Sequence, residues 1–185
     1  MNLIRFVLFA FVLAAAAPAV AQTATPAFEI FGGYSLLPAN GDDFPRQTSH
    51  GFEASVTANL NRWFGVVGDF GWQFNTARDL GPSFQGQVAE SNVREYLVGP
   101  RFTARTAGIN VFGHALVGIS TGDAGPNFSG FSDSGFTLGG GGGVDVQLTR
   151  RLAARAQFDL IGSFADIVET NSRFAVGLVV KLGGS

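Results

Sequence analysis

The chain has 185 residues, a formal net charge of −2 and no cysteine, which excludes a strongly basic nucleic-acid-binding protein and a small disulfide-stapled domain. Charged residues make up 14% of it, against ~25% in ordinary soluble domains, and Lys181 is the only lysine. Water-facing surfaces lean on Lys and Glu, so this chain lacks the residues to coat itself for water.

The N-terminus reads as an export address. Asn2 to Arg5 carries one positive charge, Phe6 to Ala17 is an unbroken apolar run, and Ala19-Val20-Ala21 is a small-residue cleavage site. Residues 1–21 are therefore expected to be a secretory signal peptide, leaving 22–185 as one domain that starts near Gln22. A membrane anchor would need a longer apolar run and no such cleavage site.

From there the chain alternates apolar and polar residues in eight segments: Ala27–Ser35, Gly51–Leu60, Phe64–Phe74, Asn92–Ala104, Ile109–Ser120, Gly135–Leu148, Leu152–Ile161 and Ser172–Leu182. Period two marks strands, and no stretch after residue 22 keeps a helical period over ten or more residues. The second and third segments show the logic best. Phe52, Ala54, Val56, Ala58 and Leu60 share one face, and after Asn61-Arg62-Trp63 the apolar set resumes with Phe64, Val66, Gly68, Phe70 and Trp72. A three-residue connection keeps both apolar sets in phase and sets Leu60 opposite Phe64.

Connections alternate in length. Asn61–Trp63, Arg105–Gly108 and Thr149–Arg151 are short; Leu36–His50, Asn75–Ser91, Thr121–Ser134 and Gly162–Asn171 are long and rich in Gly, Pro, Asn, Asp and Ser. That rhythm predicts an up-and-down meander with one end dressed for the outside. A weak internal repeat supports it, Leu60-Asn-Arg-Trp-Phe matching Leu148-Thr-Arg-Arg-Leu.

Alternation alone does not say which face is inside. The polar set is rich in small residues, among them Gly33, Ser55, Thr57, Gly71, Gly99, Thr137, Gly141 and Gly177, which fit the crowded bore of an eight-stranded barrel. The apolar set is large and aromatic, including Phe28, Tyr34, Phe52, Phe70, Phe102, Phe136, Phe158 and Phe174, and is expected to face lipid. Trp63 and Trp72 lie near opposite ends of the third strand, about 23 Å apart at ~3.3 Å per residue and ~40° tilt, close to the ~25 Å apolar band of such barrels. Both are expected to be membrane-interface aromatics, although 19 Phe against 2 Tyr and 2 Trp makes the girdles unusually apolar.

The phrases NRWFGVVGDFGW, YLVGPRFTAR, NVFGHALVG and GGGVDVQLTRRLAARAQFDL resemble the small bacterial outer-membrane β-barrel family, of the type of the transmembrane domain of outer-membrane protein A, over the whole mature chain. The resemblance implies an all-β fold, an eight-stranded antiparallel up-and-down transmembrane β-barrel, in the bacterial outer membrane. It implies outer-membrane lipid and the barrel insertion machinery as partners, and a monomer. Two features depart from the pattern. No peptidoglycan-binding domain is expected to follow the barrel. The last strand closes Lys181-Leu182-Gly183-Gly184-Ser185 instead of on a terminal aromatic, so Leu182 or Phe174 would stand in for the assembly signal.

Sites of chemistry are sparse. His114 falls on the inward set and His50 at a loop edge, and no His-x-Ser phrase stands outward, where a lipid-deacylating barrel would need its base and nucleophile. Gly139 to Gly143 lies inside an alternating segment with no helix behind it, which favours packing over phosphate binding. Gly41-Asp42-Asp43 and Thr121-Gly122-Asp123 lack the spacing of a calcium loop and read as solvated turns. No catalytic, metal or cofactor site is expected.

The inward charges are the most informative set. Glu29, Glu53, Asp69, Glu95, Asp145 and Asp159 face Arg101, Arg155, Arg173 and Lys181, with His114 a further base. Charges in a narrow bore must pair. Strand heights predict Asp145 with Arg155, Glu29 with Lys181, Asp159 with Arg173 and, more loosely, Asp69 with Arg101. The expectation is a non-enzymatic barrel with a structural or surface-interaction role and a charge-filled bore. A narrow solute or ion channel and a soluble periplasmic lipid-binding barrel are the competing readings.

Overall fold

A computed structural model describes residues 25–38, 48–77, 89–124, 132–164 and 168–183. Eight strands follow one another: β1 (Phe28–Pro38), β2 (Thr48–Asn59), β3 (Phe64–Ala77), β4 (Ala89–Arg105), β5 (Ile109–Ala124), β6 (Ser132–Gln147), β7 (Leu152–Phe164) and β8 (Val168–Leu182). Each pairs antiparallel with the next, and β8 returns to β1, so the sheet is a closed barrel without a free edge.

The hairpins form where the polar punctuation sits. Asn59 pairs with Gly65, and the Leu60 amide donates to the Phe64 carbonyl at 3.0 Å, as the phase of the two apolar sets requires. The Asn61 side-chain oxygen accepts the amides of Trp63 and Phe64, both at 2.9 Å. Thr149 does the same job for the β6–β7 turn, accepting from Arg151 at 3.3 Å and Leu152 at 3.1 Å. The internal repeat is thus one turn built twice, closed by a short polar side chain that caps its own backbone.

Every strand begins or ends further toward the long connections than side-chain alternation predicts. Leu36 pairs with His50, Asn75 with Ser91, Thr121 with Ser134 and Gly162 with Thr170, all positions read from sequence as loop. The ladder is made by backbone groups, which continue to pair past the point where Gly, Ser, Asn and Thr stop marking a face. Thr121-Gly122-Asp123 is accordingly part of β5, not a solvated turn, while Gly41-Asp42-Asp43 lies outside the described residues. The pairs Pro38–Thr48, Ala77–Ala89, Asp123–Ser132 and Phe164–Val168 gather at one end of the barrel, and the turns 60–63, 106–108 and 148–151 at the other.

The apolar set is outside. Phe28, Ile30, Tyr34, Phe52, Val56, Trp72, Tyr96, Phe102, Phe136, Phe158, Phe174 and Leu178 are all exposed, while Glu29, Glu53, Asp69, Glu95, Arg101, Asp145, Asp159 and Arg173 are buried. A soluble lipid-binding barrel requires the reverse, and that reading is overturned. Glycine makes the bore fit. A side chain at Gly71 would press on the Glu95 carboxylate at 2.7 Å and the Arg173 guanidinium at 2.8 Å, and one at Gly143 would meet the Phe112 ring at 2.8 Å. The Gly139–Gly143 run therefore serves packing, as its place inside β6 suggests.

Candidate functional site: the charged interior

All eleven inward side chains singled out from the sequence are buried in the bore. They divide into two shelves. The shelf nearer the short turns is built on Asp145 and Glu29. Asp145, opposite Arg155 in the β6–β7 ladder, accepts from Arg155 Nε at 2.7 Å and Nη2 at 3.0 Å, a two-pronged pairing that fixes both side chains. Arg101 lies 3.4 Å from the same carboxylate, 3.3 Å from Glu29, and donates to Thr57 at 3.0 Å. Arg105 takes the other Glu29 oxygen at 2.8 Å and the Asn59 side chain at 2.9 Å.

Two aromatics floor this shelf. The Arg101 guanidinium sits 3.8 Å from the Phe112 ring centre, and Arg155 lies 4.5 Å from Phe112 and 5.0 Å from Phe31. A guanidinium is weakly hydrated and flat, so stacking on a ring compensates part of what it loses by leaving water.

The second shelf, further along the axis, converges on Arg173. Its guanidinium meets Asp69 at 2.8 Å, Asp159 at 2.9 Å, Glu95 at 3.0 Å and Glu53 at 3.3 Å. Those acids come from β3, β7, β4 and β2, so one side chain from β8 ties the barrel across its diameter. Gln157 donates to Glu53 at 2.7 Å and to Asp159 at 2.8 Å, and His114 Nε2 lies 2.7 Å from Asp159. Among the described residues His114 bonds only this carboxylate, which gives it an orienting partner but no nucleophile to activate. Nor does any group of His, Asp and Glu among the described residues have the arrangement to hold a metal ion. Beyond the second shelf the contacts are neutral: Gln73 donates to Ser35 at 2.6 Å, and Ser120 joins Ser163 and Thr137, each at 2.9 Å.

Two expected pairs are not made. Glu29 is level with Lys181 in the β1–β8 ladder, yet its oxygens go to Arg105 and Arg101, while the Lys181 ammonium bonds Gln147. Forked arginine donors satisfy a carboxylate better than one ammonium can. Asp69 stands opposite Leu97 and Arg101 opposite Gly65, so those two occupy different shelves and each finds other partners. Asp159 and Arg173, level in the β7–β8 ladder, do meet.

Several members of the site escaped the sequence reading. Arg105 and Gln157 have the inward parity of their strands; continuing the alternation by one more step would have found Arg105. Phe31 and Phe112 are large apolar residues out of phase with the outward set, and that misfit was their signal. Trp63 and Trp72 are exposed near opposite ends of β3, Trp63 stacked on Phe102 at 5.9 Å and Trp72 edge-on to Phe74 at 6.3 Å.

Known structures share this architecture. Neisserial surface protein A superposes with a TM-score of 0.69 at 12% identity, over 84% of this chain and 97% of its own. OprG from Pseudomonas aeruginosa gives 0.66 at 14%, over 88% and 98%. Ail, the attachment invasion locus protein of Yersinia pestis, solved with the heparin analogue sucrose octasulfate, gives 0.63 at 16%, over 85% and 99%. At such identities the likeness is one of fold. Comparison with the sequences of curated proteins yields no match. The family model described as "Outer membrane protein beta-barrel domain" matches residues 7–181. With its closed eight-stranded sheet, apolar exterior and charged bore, the chain belongs to that family and is an integral barrel of the bacterial outer membrane.

Proposed function

We propose that the protein is a non-enzymatic barrel with a structural or surface-interaction role, whose bore is closed by its own side chains. The observation that carries this reading is Arg173, fully buried and bonded to carboxylates from four other strands. A conducting path would have to run past that side chain and past the Arg101–Asp145–Arg155 shelf beneath it. The short turns then lie in the periplasm with both termini, the long connections face the environment, and Trp63 and Trp72 mark the two membrane interfaces. The leader is removed before Gln22, the insertion machinery seats the barrel, and it works as a monomer.

Planar-bilayer recording tests the bore. The unmodified protein is expected to show little steady conductance, and the Arg155→Ala/Arg173→Ala variant clearly more. Large, steady single-channel currents from the unmodified barrel would overturn the reading in favour of a narrow channel.

A further inference from the structure

Charge along the sequence is not spread evenly between the two kinds of connection. The segments 36–50, 75–91, 121–134 and 162–171 carry eight Asp or Glu (Asp42, Asp43, Asp79, Glu90, Asp123, Asp133, Asp166, Glu169) against two arginines, Arg46 and Arg78. The turns at the opposite end, 60–63, 106–108 and 148–151, contain no acid at all and three arginines, Arg62, Arg150 and Arg151. All three are exposed, and among the described residues none of their side chains makes an ion pair. Arg105, at the end of β4, turns inward to Glu29 but also donates to the Arg62 carbonyl at 3.1 Å, holding that turn against the rim.

Each exposed arginine sits beside the apolar belt. Arg62 lies between Leu60 and Trp63, and Arg150 and Arg151 follow Leu148; Leu60, Trp63 and Leu148 are more than half exposed. The β2–β3 and β6–β7 turns are on opposite sides of the eight-strand ring. Such an arrangement cannot clasp one compact ligand, because the two turns that carry the charges lie on opposite sides of the ring. It suits a sheet of ligands that surrounds the barrel. Basic side chains one residue beyond the apolar boundary place their charge at headgroup level while their stems stay against hydrocarbon.

We propose that the short-turn rim is a collar for anionic phospholipid headgroups of the periplasmic leaflet, with Arg62, Arg150 and Arg151 meeting lipid phosphates and Leu60, Trp63 and Leu148 their acyl chains. The placement in that leaflet rests on the orientation given under the proposed function; the lipid preference does not.

The test uses the folded mature chain in detergent, offered equal amounts of phosphatidylglycerol and phosphatidylcholine, with retained lipid read by native mass spectrometry. Preference for phosphatidylglycerol is expected at roughly tenfold or more, from electrostatic contributions of several basic residues near an anionic surface. It should fall toward parity in Arg62→Gln/Arg150→Gln/Arg151→Gln and in high salt. The three sites are in exposed turns, and an unchanged heat-dependent gel shift verifies that the variant still folds. Equal retention of both lipids by the unmodified chain, or a preference that survives the triple substitution, overturns the collar. Cleavage at Arg150 or Arg151 by protease added to intact cells overturns the leaflet assignment and the proposed orientation, and leaves the detergent result to judge the collar alone.

Discussion

Replacing Arg173 by methionine keeps most of the side-chain volume and removes the one guanidinium on which Glu53, Asp69, Glu95 and Asp159 converge. The four acids are buried, and their remaining partners on that shelf are Gln157 and His114. Breaking a single buried ion pair typically costs ~3–5 kcal/mol, because the surviving charge is left without compensation. Here four carboxylates share one cation, so we expect a loss at the upper end of that range at neutral pH. For a chain of this length ~3–5 kcal/mol corresponds to a fall in melting temperature of about 6–20 °C. The assay is thermal unfolding in detergent, followed by the mobility difference between folded and unfolded barrel. Asp69→Asn added to Arg173→Met should recover part of the loss, since it removes one uncompensated charge and keeps the shape. A single Arg173→Met variant that melts within a degree or two of the unmodified protein would refute the reasoning, and would mean the shelf is not held by this side chain.

Four further outcomes follow from the same structure. Arginine at Val56 or Val66, both exposed on the apolar face, should cost roughly 2–4 kcal/mol in a bilayer near the midplane, and Ser55→Ala on the inward face far less; equal effects would reverse the inside-outside assignment. Phe112→Ala should destabilise by about 3–5 kcal/mol by leaving a cavity beneath Arg101 and Arg155, measured by urea titration in detergent; an unchanged midpoint would mean the ring does not support that shelf. Gly99→Leu, where an added side chain runs into the Ala115 backbone carbonyl, is expected to block folding, whereas Gly68→Leu, where it meets open space, should fold normally, both read from the gel shift. Protease on intact cells should nick only within the segments 36–50, 75–91, 121–134 and 162–171.

Much of the architecture is present in the residue order. Alternation with period two, a three-residue turn that preserves phase and two copies of one turn motif determine eight strands, their neighbours and the register of the β2–β3 and β6–β7 hairpins. Inward charge follows from parity, and because paired residues in an antiparallel hairpin have constant index sums, Asp145 opposite Arg155 could be placed from the sequence alone. These are local properties, set by chain connectivity and by the two-residue repeat of a strand.

The tertiary structure decided what local rules cannot reach. Strand ends ran on past the alternation because backbone pairing continues without a patterned face. Arg173 meets Asp69 and Glu95 across the bore from strands that are not its neighbours, and Arg101 bridges β4 to Glu29 on β1. Such contacts depend on the diameter of the closed ring, on the stagger with which tilted strands close it, and on how far each side chain reaches from its backbone. Ladder height placed Lys181 beside Glu29, but Arg105 bonds one Glu29 oxygen and the Arg101 guanidinium stands 3.3 Å from the other. A sequence determines which charges enter the bore; only the closed barrel, by bringing all eight walls within reach of one another, determines which of them meet.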